Sequence, residues 1–104
     1  MIIEPNLVIL TAQVAEWADD EPARTAWIID CLNRHSNHDW GELDADDSAA
    51  NNHARRTGDG RLLSRYPLPA ELTDPSIADD AIWIITDDLA DPDILTTVLW
   101  PSDY

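Results

Sequence analysis

The stretch Ala81-Ile82-Trp83-Ile84-Ile85-Thr86 is an apolar run closed by threonine, with aspartates at Asp79, Asp80, Asp87 and Asp88 on its two sides. β-Branched and aromatic residues favour extended backbone, and a run this short without polar alternation suits a strand covered on both faces. Ala81 to Thr86 is therefore expected to be the central strand of a sheet.

Two further segments read as its partners. Arg61 to Tyr66 precedes it across a connection broken by Pro67, Pro69 and Pro75, and Ile94 to Trp100 follows it across the turn residues Asp91-Pro92-Asp93. An antiparallel three-stranded sheet results. Leu7 to Leu10 is apolar and follows Pro5-Asn6, which suits either a fourth strand at an edge or an extended lead-in.

Helical segments fill the first half. Ala12 to Trp17 reads as a brief helix, and Asp19-Asp20-Glu21-Pro22 supplies the acids and early proline of a helix start, with the helix running to about Arg34. Ala23, Ala26, Trp27 and Cys31 form its apolar stripe, widened by Ile28 and Leu32, and Arg24 faces elsewhere. Asp44 is suited to cap a further helix that ends near Thr57, where Gly58 is its natural stop. The expected class is α+β: a small antiparallel sheet of three or four strands with two or three helices packed on it.

At 104 residues the chain has the length of one domain, 1–104, with one core. Apolar residues make up 44%, as in ordinary globular proteins. No run approaches the roughly 20 residues that cross a bilayer, and Met1-Ile2-Ile3-Glu4-Pro5 lacks the features of a signal peptide, so a cytoplasmic location is expected. Cys31 is the single cysteine, which excludes an intrachain disulfide, and its apolar neighbours suit burial.

Charge is the strongest physical signal. Twenty-one acids against six arginines give a net charge of -15, which repels nucleic acid and anionic membranes and attracts basic partners. All six arginines lie before Tyr66, and the acids after it have no base among them.

Several residue groups invite a chemical reading. His35, His38 and Asp39 crowd together and have ligand chemistry for a metal, but the spacing does not complete a site, and no metal or other cofactor is expected. Asp44, Asp46 and Ser48 match the start of a calcium loop, which then fails at Ala49 and Arg55. Neither a nucleophile elbow nor a phosphate loop is present, so no catalytic residue is assigned and the chain is not expected to be an enzyme. Of the five tryptophans, Trp40 is the one expected to be exposed, and Trp17, Trp27, Trp83 and Trp100 are expected in the core.

Arg34-His35, Asp39-Trp40-Gly41-Glu42-Leu43, Asp47, Asn51, Gly60-Arg61-Leu62-Leu63-Ser64, Tyr66, Trp83-Ile84-Ile85-Thr86 and Thr96-Thr97-Val98-Leu99, with Pro101, Asp103 and Tyr104, form an ordered set of blocks. Together they resemble a family of small mobile-element proteins labelled plasmid-related. The resemblance spans about residues 33 to 104 and implies a shared fold, with no activity or catalytic residue to carry over. The chain departs from the pattern in its long Pro67 to Asp80 connection and in Asp87 to Asp93, which replaces a segment that includes an arginine.

Three functional readings follow. The first is an acidic interaction protein, a DNA-mimic inhibitor of a basic nucleic-acid-binding protein in a defence system such as CRISPR or restriction machinery. It does not itself bind nucleic acid or membrane. Its partner-binding residues are Asp79, Asp80, Asp87, Asp88, Asp91 and Asp93, forming one contiguous anionic surface, with Trp40 adding short-range specificity. The second takes the acidity, with no lysine and an excess of aspartate over glutamate, as a solvent or compositional adaptation. The third is a small metal-assisted enzyme built on His35, His38 and Asp39.

Overall fold

Ala81–Thr86 is an inner strand of a four-stranded sheet, as its apolar run requires. The computed structural model describes residues 7–91 and 94–104. In chain order the elements are β1 (Leu7–Leu10), α1 (Ala12–Asp19), α2 (Pro22–Ser36), α3 (Ala45–Thr57), β2 (Leu62–Pro67), β3 (Ala81–Thr86) and β4 (Leu95–Leu99). Short 3-10 turns lie at Ala70–Leu72 and Pro101–Asp103.

The class is α+β, and the sheet order is β1-β4-β3-β2. β2, β3 and β4 pair antiparallel as expected. The expectation of a wholly antiparallel sheet needs one correction, because β1 pairs parallel with β4, Leu7 opposite Leu95 and Leu10 opposite Val98. Parallel neighbours need a long crossover. Here the three helices, β2 and β3 all lie between β1 and β4 and supply it, and with one parallel and two antiparallel pairings the sheet is mixed.

Register sorts the side chains onto two faces, since successive strand residues point to opposite sides. One row runs Leu10, Val98, Ile84, Ser64 and the next Val8, Thr96, Thr86, Leu62. These rows face the helices, and Val14, Trp17, Ile28 and Cys31 pack with Ile82, Ile84, Val98, Tyr66 and Trp100 in the main core. The alternate row, Ile9, Thr97, Ile85 and Leu63, lies on the face without helices.

Helix α2 buries Arg24, Ile28, Cys31 and His35, a stripe of helical period, while Ala23 and Ala26 are exposed. The helix is thus rotated from the expected stripe. Its pivot is Arg24, whose Nη1 donates to Trp17 O at 2.9 Å and whose guanidinium lies 5.0 Å over the Trp17 ring. Glu21 at 3.2 Å, Asp74 at 3.5 Å and Asp20 at 3.8 Å compensate the buried charge.

Helix α3 is bounded as its sequence demands: the Asp44 side chain accepts from Asp47 N–H at 2.8 Å, and Gly58 closes the helix at φ 68°. Its polar body buries Asn51 and Ala54.

Candidate functional site

The acids proposed for partner binding fall into two groups. Asp79 and Asp80 precede β3, and Asp87 and Asp88 follow it, so the length of the strand separates them. At roughly 3.3 Å per residue, Asp80 and Asp87 stand about 23 Å apart along an extended chain. Asp93 lies outside the described residues.

Each group has its own surroundings. At the first end Asp79 accepts a hydrogen bond from the Ser102 hydroxyl at 2.7 Å, and Asp80 pairs with Arg65 at 3.2 Å. At the second end Asp88 accepts from Ala90 N–H at 2.9 Å, and Asp91 N–H donates to Asp88 O at 3.1 Å in the turn. Asp87 and Asp88 are exposed and make no ion pair among the described residues. Between the two ends the helix-free face holds half-buried Trp83 with the exposed Tyr104 ring 5.6 Å away, and Arg61 donates to the Tyr104 hydroxyl at 2.9 Å.

Trp40 is corrected from a surface contact to a core residue, at 8% exposure. It packs with Ala54 and Leu62 in a second, smaller core cluster and lies against the rings of His35 and His38 at 5.8 Å and 5.6 Å. The reason is the backbone of its neighbour. Gly41 at φ 73° docks the segment on β2, where Arg65 N–H donates to Trp40 O at 3.0 Å and Glu42 N–H to Arg65 O at 2.8 Å.

His35 organises a buried polar chain that the sequence reading did not assemble. Its Nδ1 meets the Ser64 hydroxyl at 2.5 Å and its Nε2 the Thr86 hydroxyl at 2.8 Å, which in turn meets Thr96 at 2.9 Å. A neutral imidazole has one donor and one acceptor nitrogen, so two hydroxyl partners satisfy it completely. Burial drives its pKa from 6.5 down to about 4, with His38 adding to the fall. Strand alternation carried the signal: Ser64 shares a face with Leu62 and Tyr66, and Thr86 with Ile82 and Ile84. A hydroxyl at a core position needs a partner.

This arrangement resembles a base beside a nucleophile, yet Ser64 is wholly buried and the second ring nitrogen meets a threonine where a carboxylate would orient the base. Its chemistry is that of a satisfied core. Asp39, the nearby carboxylate, is held by Arg34 at 2.7 Å and by Gly41 N–H at 3.2 Å, and the Arg34 hydrogen bond pulls its pKa below the usual range. His35, His38 and Asp39 are thus turned to different partners, and no group of three or more metal-ligating side chains occurs among the described residues. Burial pushes the Cys31 thiol up to about 12, so it stays protonated.

No family model, curated protein or solved structure matches the chain. What the site offers is therefore read from its own residues. One further acidic feature escaped the sequence reading: Glu16 and Asp20 from α1 and its end converge with Asp74 from the long connection around a cleft of about 410 Å³, with Trp17 in its lining. Their separation along the chain hid it.

No helix among the described residues is long and apolar enough to cross a membrane.

Proposed function

We propose that this protein is an acidic interaction protein that occupies the basic surface of a nucleic-acid-binding partner, and that it acts as an inhibitor. The observation that carries the reading is how the arginines are used. Arg24, Arg34 and Arg65 are engaged by Glu21, Asp20, Asp74, Asp39 and Asp80, and Arg61 lies against Tyr104. Half of the chain's few cations are thus paired within the molecule, Arg65 by Asp80 itself, and the remaining acids outnumber the remaining arginines more steeply than in the composition as a whole.

The spacing of the acids refines the mimicry. Duplex DNA presents about one charge per 1.7 Å, or roughly 14 over 23 Å, and the acids at the two ends of β3 are far sparser. They match two separated phosphate contacts better than a continuous backbone. The mobile-element resemblance favours a partner from a defence system, CRISPR or restriction.

A second reading has its own support. Exposed acids also lie on α1 at Glu16 and Asp19, before α2 at Asp20 and Glu21, and at the start of α3 at Asp44, Asp46 and Asp47. Acids on so many elements suit a solvent adaptation.

Competition between the protein and DNA for a basic effector separates the two. Mimicry requires that D79N/D80N and D87N/D88N each weaken inhibition, and that added salt weaken it for the native chain. Inhibition unchanged by both pairs and by salt would sink it.

A further inference from the structure

The sheet closes one of its edges and leaves the other open. On the β2 edge, Leu63 N–H donates to Asn51 Oδ1 at 3.0 Å, and Asn51 Nδ2 donates to Leu63 O at 2.6 Å. Arg65 N–H and C=O are taken by Trp40 O and Glu42 N–H. Every outward group of these two residues is satisfied by α3 or by the 40–42 segment.

The β1 edge differs. Thr11 N–H donates to Val98 O at 3.0 Å, which sets the phase of the parallel ladder. Ile9 bonds β4, and Val8 and Leu10 turn their N–H and C=O groups away from it. Among the described residues no hydrogen bond reaches those outward groups and no strand lies beyond β1. Nor does Leu7–Leu10 contain the lysine, proline or bulge with which natural edges block pairing. Ile9, 39% exposed, stands on the helix-free face beside it.

We infer that this edge receives an extended, arginine- or lysine-rich segment of a partner protein as a fifth strand. Main-chain pairing supplies the docking geometry, and charge selects the occupant. A second copy brings -15 against -15, whereas a basic segment meets an uncharged strand with Asp103 at its end, where the carboxylate accepts from the Thr11 hydroxyl at 2.8 Å. The following α1 adds exposed Glu16 and Asp19. The inference rests on the basic-partner reading and names a surface for it that lies apart from the acids flanking β3.

The test uses the full chain and a short capped peptide alternating arginine with valine, followed by amide exchange. Binding should raise protection of Val8 and Leu10 about tenfold or more, and N-methylation of the peptide's alternate amides should weaken it about tenfold at unchanged charge. An analogue with glutamate for arginine should not bind. Equal binding of the N-methylated peptide, or no binding at all, overturns the inference. So does protection of Val8 and Leu10 that grows with protein concentration in the absence of peptide, because the occupant is then a second copy. Salt-sensitive binding without protection of β1 rejects the edge and leaves the basic-partner reading standing. Protection of β1 with no effect on DNA competition does the reverse.

Discussion

His35 and Ser64 meet at 2.5 Å, ring nitrogen to hydroxyl, with both side chains closed to solvent between α2 and β2. Burial of the His35 ring ties stability to pH. An unfolded histidine takes up its proton near pH 6.5 and the folded one only near 4, so between these values the unfolded state holds the extra proton. Stability is then present above about pH 6.5 and falls as the pH drops toward 4, by on the order of 3 kcal/mol at 1.36 kcal/mol per pH unit. Urea denaturation across this window should show the loss, and H35N should flatten it. His38, lowered by burial in the same direction, adds a smaller slope that H38N isolates. A native-like slope in H35N would refute the assignment.

Trp40→Ala tests the relocation of that residue. A buried tryptophan removed from a core cluster costs about 3 to 5 kcal/mol, whereas an exposed contact residue costs little. Chemical denaturation should place the variant in the first class. A loss below about 1 kcal/mol would return Trp40 to the surface.

The legible parts of this fold are those fixed by local chemistry. β3 declares itself through its apolar run, and α3 through Asp44 and Gly58, whose capping roles depend on nothing distant. The parallel pairing of β1 was hidden because four apolar residues do not specify which strand they join. Arg24 was read as outward because charge ordinarily means exposure, and Asp74, one of its compensating acids, is fifty positions away. Trp40 sits in a polar stretch, and only the docking of Gly41 on β2 draws it inward. The acids were expected to form one contiguous surface, yet residues flanking a strand lie at its opposite ends, and the length of β3 divides them. The meeting of His35 with both Ser64 and Thr86 was half legible: alternation placed the hydroxyls inside, and only the rotation of α2 supplied the ring.

Asn51 is the side chain that closes the β2 edge, and its removal should be felt as two unpaired backbone groups. N51A is expected to lose about 2 kcal/mol. N51D keeps an acceptor for Leu63 N–H and sets a carboxylate against Leu63 O, so at neutral pH it should be the weaker variant. Protonation turns that carboxyl into a donor, so N51D should recover relative to native protein as the pH falls. Urea midpoints at two pH values decide this, and equal losses in both variants at both values would show that the amide pairing contributes little.

Gly41 and Gly58 provide the sharpest contrast, because both have left-handed backbone and only one is crowded. A Cβ at Gly58, φ 68°, meets nothing within 4 Å. Its replacement by alanine therefore carries only the conformational cost, roughly 1 to 2 kcal/mol. At Gly41, φ 73°, the added carbon falls 2.0 Å from Arg65 O and 2.8 Å from the Tyr66 ring. Arg65 O is backbone, held in β2 and already accepting from Glu42 N–H, so it has no rotamer with which to give way. The 40–42 segment must lift from the sheet, which exposes Trp40 and frees the outer groups of Arg65. G41A should accordingly lose more than about 4 kcal/mol, in the range reserved for disruption of packing and backbone together. Amide exchange should quicken at Arg65 and Glu42 in G41A and stay native there in G58A. Equal losses in the two variants would show that the close approach of Gly41 to β2 is not what holds this edge shut.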